Sequence, residues 1–233
     1  MELVENFVIT MVAPRRKGKS YLIKHMLKNG LMDDFDRIKI FARSSDSNSD
    51  YDEFRDEKDV EIYADFTQQD IEDIFLEQEK CTKSVKRSLD SSEWECPRTL
   101  LILDDVIDSG ILNFKGIVDR VAERGRHIGL SLILTSQRLR AVSPSIRMNS
   151  DYFIIFATSM IAELEKFLEE YVFRVERPIL ISKLRQLFDI PRAFLLVDCT
   201  AQDTNSRLLY SKADMYVKGI MKPLFNRNEI EVQ

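Results

Sequence analysis

The chain alternates short, almost purely apolar runs with longer segments whose apolar residues recur every three or four positions. Six runs show the first pattern: 7–12 (FVITMV), 37–42 (RIKIFA), 98–103 (RTLLIL), 130–135 (LSLILT), 152–156 (YFIIF) and 193–197 (AFLLV). Each is too short for a helix and rich in β-branched, leucine or aromatic residues. Continuous apolar strands are buried on both faces, the mark of a parallel sheet covered by helices. Residues 60–64 read as a further short strand, and 207–210 as the return strand of a hairpin with 193–197. Between the strands the spacing turns helical. Leu22, Ile23, Met26 and Leu27 predict a helix that Asn29-Gly30 stops. Thr67 and Asp70 are placed to cap a helix running to about Lys86. Helices are also expected over 114–124, 161–171 and 179–188. The stretches SSDSNSDYDEFRDE and SLDSSEWECP are polar and turn-rich and predict exposed loops. The last twenty residues show no core pattern. The expected organisation is one domain over 1–212 and a C-terminal tail over 213–233.

Alternating strands and helices predict an α/β fold with a mainly parallel central sheet between two helical layers. Such sheets bind ligands at the carboxyl ends of their strands, so the residues just after each strand carry the search for chemistry. Composition narrows the classes. A 233-residue chain that is 44% hydrophobic can build a sizeable core, which excludes a disordered or collagen-like chain. Cys81, Cys96 and Cys199 stand outside any CxxC or metal-ligand spacing and read as reduced thiols of an intracellular protein. With His25 and His127 the only histidines, a multi-histidine metal site is excluded. No apolar run approaches the ~18 residues of a membrane span, and acids stand where a signal peptide has bases.

The net charge of −5 argues against a surface that is basic all over. The charge is uneven. Residues 46–80 hold fourteen acids and three bases, whereas 1–30 hold six bases and two acids, and 114–147 seven bases and two acids.

After the first strand comes Ala13-Pro14-Arg15-Arg16-Lys17-Gly18-Lys19-Ser20, which matches G-x-x-x-x-G-K-[ST] with Ala13 in place of the first glycine. Successive backbone N–H groups of such a loop wrap a phosphate, and the following helix adds its positive end. Pro14 already biases residue 13 to extended backbone, which alanine adopts. The nucleotide-binding residues are expected to be Ala13, Pro14, Arg15, Arg16, Lys17, Gly18, Lys19, Ser20 and Tyr21. Lys19 reaches the β- and γ-phosphates of ATP, and Ser20 ligates Mg²⁺. Strand 98–103 runs into Asp104-Asp105. Two carboxylates at the end of a buried strand are costly unless something uses them. Asp104 is the candidate on the metal side and Asp105 the candidate base; a helix cap with the turn Ile107-Asp108-Ser109-Gly110 is the plainer reading. Strand 130–135 ends in Ser136-Gln137-Arg138. In the additional-strand class of P-loop ATPases this strand lies between the phosphate-loop strand and the acidic strand, and Gln137 then faces the γ-phosphate or the attacking water; a polar strand cap is the alternative.

Upstream, Arg120-Val-Ala-Glu123-Arg124-Gly125-Arg126-His127 places arginines at the strand's other end. They are poorly placed for this chain's own nucleotide. Arg124 and Arg126 are candidates for a finger serving a neighbour's; a solvated basic helix end is the alternative. His127 reads as structural. Arg138, Arg140 and Arg147 form a second basic group, and Lys80, Lys83, Lys86 and Arg87 a third, each a candidate for DNA or subunit contact or simply a solvated face.

The succession APRRKGKS, LLILDD, GRHIGLSLILTSQ and IRMNSDYFIIF resembles the genome-packaging ATPases of large double-stranded DNA viruses, of the poxvirus type and of membrane-containing icosahedral viruses, within the FtsK–HerA superfamily. The resemblance spans about residues 5–200. It implies a three-layer, RecA-like P-loop NTPase that binds ATP and Mg²⁺ and assembles into a homo-oligomeric ring, hexamer or pentamer. Such a ring drives double-stranded DNA into a preformed capsid and docks on capsid or inner-membrane vertex proteins. By position it assigns Lys19 and Ser20 to phosphate and metal, Asp104 and Asp105 to the acidic pair, Gln137 to the sensor, and Arg126 or Arg124 to the finger. The expected location is the host cytoplasm or viral factory, or the virion. A cellular DNA translocase, a small-molecule kinase and a nucleotide-gated vertex protein are the competing readings.

Overall fold

A computed structural model of the chain describes residues 3–42, 50–87, 96–105, 115–158, 161–171, 177–202, 207–213 and 222–224. Its strands are β1 (Val8–Val12), β2 (Arg37–Ala42), β3 (Val60–Tyr63), β4 (Thr99–Asp104), β5 (Leu130–Ser136), β6 (Tyr152–Phe156), β7 (Ala193–Asp198), β8 (Leu208–Lys212) and β9 (Lys222–Pro223). They form one sheet in the order β3-β2-β4-β5-β1-β6-β7-β8-β9. Neighbours are parallel from β3 to β6 and antiparallel from β6 to β9. The helices are α1 (Lys19–Met26), α2 (Gln68–Arg87), α3 (Lys115–Arg124), α4 (Pro144–Asn149), α5 (Ile161–Tyr171) and α6 (Arg177–Phe188). None is long and apolar enough to cross a membrane.

Side chains alternate between the two faces of a strand, so each strand feeds two cores. Leu101 and Leu103 of β4, with Leu132 and Leu134 of β5, pack under α2, α3, α4, α5 and α6. Leu100 and Ile102, with Ile133, pack under α1 and the turns after it. This is the three-layer arrangement that the unbroken apolar runs predicted. Local signals set several boundaries. Thr67 gives both its N–H and its hydroxyl to Asp70 Oδ2 at the start of α2. At the end of α1 the chain turns through Gly30, whose φ of 99° favours glycine. The far sheet edge is the two-residue strand β9, with a proline, which offers little for another chain to pair with.

Three expectations need correcting. Cys81 and Cys96 are not free thiols: they form a disulfide, with Cα atoms 5.8 Å apart. The pairing is invisible in the sequence because it depends on β4 starting beside the outer half of α2. There Gln78 Nε2 donates to the Pro97 carbonyl. Cys199 is the free cysteine, and burial pushes its thiol up to about 12. Second, the polar segment after β2 is not wholly an exposed loop. Tyr51 and Phe54 are buried beneath it, around a short 3₁₀ turn over Asp52–Phe54. Third, the expected tail is not without core: β9 pairs with β8, and Ala213 and Leu224 are buried. The loop and turn expected over 88–95 and 107–110 lie outside the described residues.

Alkylation of the denatured protein without reductant should add one adduct by mass spectrometry, and three after reduction. Three adducts without reductant would show that Cys81 and Cys96 are not bonded.

Candidate active site

The segment from Ala13 to Ser20 links β1 to α1. Its entry is pinned by β5: the Ala13 N–H donates to the Ser136 carbonyl at 3.0 Å, and Val12 pairs with Ser136 in register. Gly18 has φ 111°, a left-handed conformation open to glycine. A Cβ there would meet Phe156 at 3.4 Å, and Ala213 Cβ and Arg192 Cγ at 3.9 Å. No side chain caps α1, and its first turn has no acid. Its first N–H groups, free of any side-chain cap and at the positive end of the helix dipole, suit an anion. Arg15, Arg16 and Lys17 are exposed around the loop, while Lys19 is buried.

Lys19 Nζ donates to the Ala13 carbonyl at 3.1 Å and to Asp105 Oδ1 at 2.5 Å. Ser20 Oγ donates to Asp104 Oδ2 at 2.8 Å. The same Oδ2 accepts the Tyr51 hydroxyl at 2.8 Å, and Oδ1 accepts Thr135 Oγ1 at 2.7 Å. The pleat explains this convergence. Asp104 shares a sheet face with Leu100 and Ile102, and Thr135 shares it with Ile133; α1 and Tyr51 lie on that side. Thr135 Oγ1 also accepts the Asp105 N–H at 2.8 Å, which holds Asp105 at φ 52°. That conformation is strained for a residue with a side chain.

Asp104 is only 4% exposed. Burial pushes its carboxyl above the ordinary value and the Asp105 charge adds to this, against the stabilising hydrogen bonds led by Thr135. Burial, with the charge of Asp104, holds the Tyr51 phenol well above its usual range, so the hydroxyl stays a donor. A desolvated carboxylate with a serine hydroxyl 2.8 Å away is a donor set that gains from a hard cation.

The structure brings together the phosphate loop, Asp104, Asp105 and the end of β5 with Gln137, because β5 lies between β1 and β4, as the sequence predicted. It does not bring Arg124 or Arg126 there. Both sit by the amino end of β5, at the opposite sheet edge. Arg124 pairs with Glu79 at 3.1 Å. Arg126 is exposed in the 3₁₀ turn Gly125–His127 and makes no ion pair within 4 Å among the described residues. With His127, also exposed, it lines a cavity of about 790 Å³ that includes Arg98, Asp34 and Asp36. Gly125 shapes this turn: a Cβ there would lie 2.7 Å from the Leu130 carbonyl oxygen. In the third basic group, Lys83 pairs with Glu79, and the side chains of Lys86 and Arg87 lie outside the described residues. Sequence reasoning missed Tyr51 and Thr135. Thr135 had a signal, a polar residue inside an apolar strand just before Ser136-Gln137. Tyr51 had only its aromatic character in an acid-rich run.

A family model described as "Poxvirus A32 protein" matches residues 2–219. The chain belongs to the poxvirus A32 protein family. A curated relative, the uncharacterized protein L437 of Acanthamoeba polyphaga mimivirus, is 25% identical over 168 residues, 70% of this chain and 56% of that protein. The A32-family chain thus spans little more than half of that relative's length. Among solved structures, B204, the DNA-packaging ATPase from Sulfolobus Turreted Icosahedral Virus, superposes with a TM-score of 0.61 at 21% identity, covering 90% of this chain and 98% of that one. ATPases 2 and 3 of EssC from Geobacillus thermodenitrificans give 0.62 at 16% identity, covering 95% of this chain and 40% of that one. At these identities the likeness shows the fold, a three-layer P-loop NTPase fold, which this family member shares.

Because burial makes ionised Asp104 costly only in the folded state, the folded chain holds this proton to higher pH than the unfolded chain. The group favours folding fully below the ordinary value of 3.8, and that contribution is lost as pH rises through the raised folded value. Asp104→Asn should therefore raise the melting temperature of the ligand-free protein at neutral pH, by about 2–4 °C per kcal/mol gained, with the gain shrinking as pH falls toward 3.8. A lower melting temperature at neutral pH would show that the three hydroxyl contacts outweigh desolvation. Gly125→Ala should destabilise the fold by about 1–3 kcal/mol through overpacking, read from denaturant midpoints; an unchanged midpoint would mean that the turn opens freely.

Proposed function

We propose that this chain hydrolyses ATP to drive double-stranded DNA into a preformed viral capsid, working as a homo-oligomeric ring. The observation that carries the reading is the contact of Lys19 with Asp105 beside Ser20 and Asp104, in a chain of the poxvirus A32 family. The structural likeness to B204, described as a DNA-packaging ATPase, and to B204 of the second Sulfolobus virus in complex with ATP-gammaS supports it.

The residues suggest an ordered cycle. Without nucleotide, Asp105 holds Lys19. A γ-phosphate carries more charge than one carboxylate and draws the ammonium to itself. Asp105 is thereby released, and from its place beside Thr135 it accepts a proton from the attacking water. Gln137 orients that water through a neutral amide, which does not compete for the proton. Ser20 and Asp104 would hold Mg²⁺, which supplies charge neutralisation at the β- and γ-phosphates. Thr135 and Tyr51 keep the Asp104 carboxylate aimed at Ser20.

An arginine supplied by a neighbouring subunit would add to the neutralisation of transition-state charge. Arg126, exposed at the opposite edge and without an ion pair among the described residues, is the better candidate to enter a neighbour's site; Arg124 is already engaged with Glu79. A finger in trans ties hydrolysis to assembly as a pentamer or hexamer. A net charge of −5 is compatible with DNA if only the pore is basic. Capsid or inner-membrane vertex proteins are the docking partners this reading requires.

Steady-state ATP hydrolysis should rise with linear duplex DNA and faster than linearly with protein concentration. Lys19→Ala should abolish it. Arg126→Ala should lower it by about 10³-fold or more, and Arg124→Ala far less. Turnover that is linear in protein, indifferent to DNA and unchanged in Arg126→Ala would reduce the protein to a monomeric NTPase, and phosphoryl transfer to a nucleoside would make it a kinase.

A further inference from the structure

The antiparallel end of the sheet brings one more charged side chain to the phosphate loop. Because β7 runs against β6, its first residue lies at the carboxyl edge of β1 and β6. Arg192 immediately precedes it, and Ala213 follows β8 at the same edge, where its N–H donates to the Arg192 carbonyl at 3.0 Å. Both flank Gly18. Arg192 is held at φ 58°, and its guanidinium carbon lies 4.7 Å from the centre of the Tyr21 ring. Tyr21 directly follows Ser20 and is 40% exposed, with its other neighbour, His25, stacked at 6.4 Å and 11°. Among the described residues the Arg192 guanidinium meets no hydrogen-bond or ion-pair partner.

The direction in which a nucleotide must lie follows from the rest of the site. Lys19, the residue that meets the terminal phosphates, reaches toward Asp105 at the end of β4. The γ end therefore lies over β5 and β4, on one side of β1. The nucleoside end must leave on the other side, over β6 and β7, along the first turn of α1. That path leads to Tyr21 and Arg192.

Resting on the nucleotide reading above, we propose that the Arg192–Tyr21 pair is the platform on which the base of the bound nucleotide stacks, with the Arg192 guanidinium plane as the stacking surface. The chemistry suits a flat heteroaromatic ring. A guanidinium stacked on an aromatic is planar, weakly hydrated and favours a π-face, and its free N–H donors edge the ring. The left-handed backbone and the Ala213 contact fix Arg192 before ligand arrives, which lowers the ordering cost of binding. The role differs from that of Lys19: Arg192 reads the base, Lys19 the phosphates.

The test compares ATP with inorganic tripolyphosphate, which has the phosphates and no base, by calorimetric titration in Mg²⁺. Wild-type protein should bind both, ATP more tightly. Arg192→Ala and Tyr21→Ala should each weaken ATP by about tenfold, the size expected for loss of one base stack, and leave tripolyphosphate unchanged. Arg192→Lys, which keeps the charge and loses the plane, should behave like Arg192→Ala. Restoration by lysine, or equal weakening of tripolyphosphate, would make Arg192 a phosphate contact and overturn the proposal. Unchanged ATP affinity in both alanine variants would overturn it as well. If the wild type binds neither ligand while melting as a folded protein, the nucleotide reading itself falls, and this proposal with it.

Discussion

Six parallel strands end on one edge of the sheet, and there a buried lysine and a buried aspartate have to coexist at the end of an apolar core. Neither charge can be left alone in such a place. Lys19 is neutralised by Asp105, and Asp104 is held by the hydroxyls of Ser20, Tyr51 and Thr135. The rest of the structure serves this arrangement. The pleat of β4 and β5 aims Asp104 and Thr135 at α1, and the hydrogen bond from Ala13 to Ser136 fixes the loop against β5. The left-handed Asp105 turns the second carboxylate out of the strand toward Lys19. The edge is polarised: the Asp104 carboxyl is desolvated among three hydroxyls, and the lysine is engaged by the second carboxylate.

The two halves of the sheet divide the work. The parallel half carries the phosphate and acid chemistry. The antiparallel half, β7 to β9, returns the chain twice to the same edge and sets Arg192 and Ala213 beside Gly18. The opposite edge of the sheet carries the turn Gly125–His127, pressed close by the contact between Gly125 and Leu130. Arg126 stands at one edge of the sheet and the phosphate loop at the other, so the two do not meet within one molecule.

Much of this is legible in the sequence. The position of β6 follows from an unbroken apolar run, since a strand buried on both faces leaves no polar positions to blur its ends. The phosphate loop, the acidic pair and Gln137 were legible because their chemistry needs particular residue types directly after strands. Tyr51 was not, because one aromatic in an acid-rich stretch carries no period. The disulfide was not, because Cys81 and Cys96 meet only through the packing of α2 against the start of β4. Arg192 was hidden for a similar reason: its relevance depends on β7 running antiparallel, and an apolar run reads the same in either direction.

The sequence by itself determined the kinds of element, their order and the local chemistry of each strand end, since propensity, apolar period and loop geometry act over a few residues. Tertiary structure alone decided which strand ends are neighbours, which side chain answers each buried charge, and which arginines face the nucleotide edge. Those outcomes depend on strand order and direction, set by packing between segments up to some two hundred residues apart, and no local pattern records them.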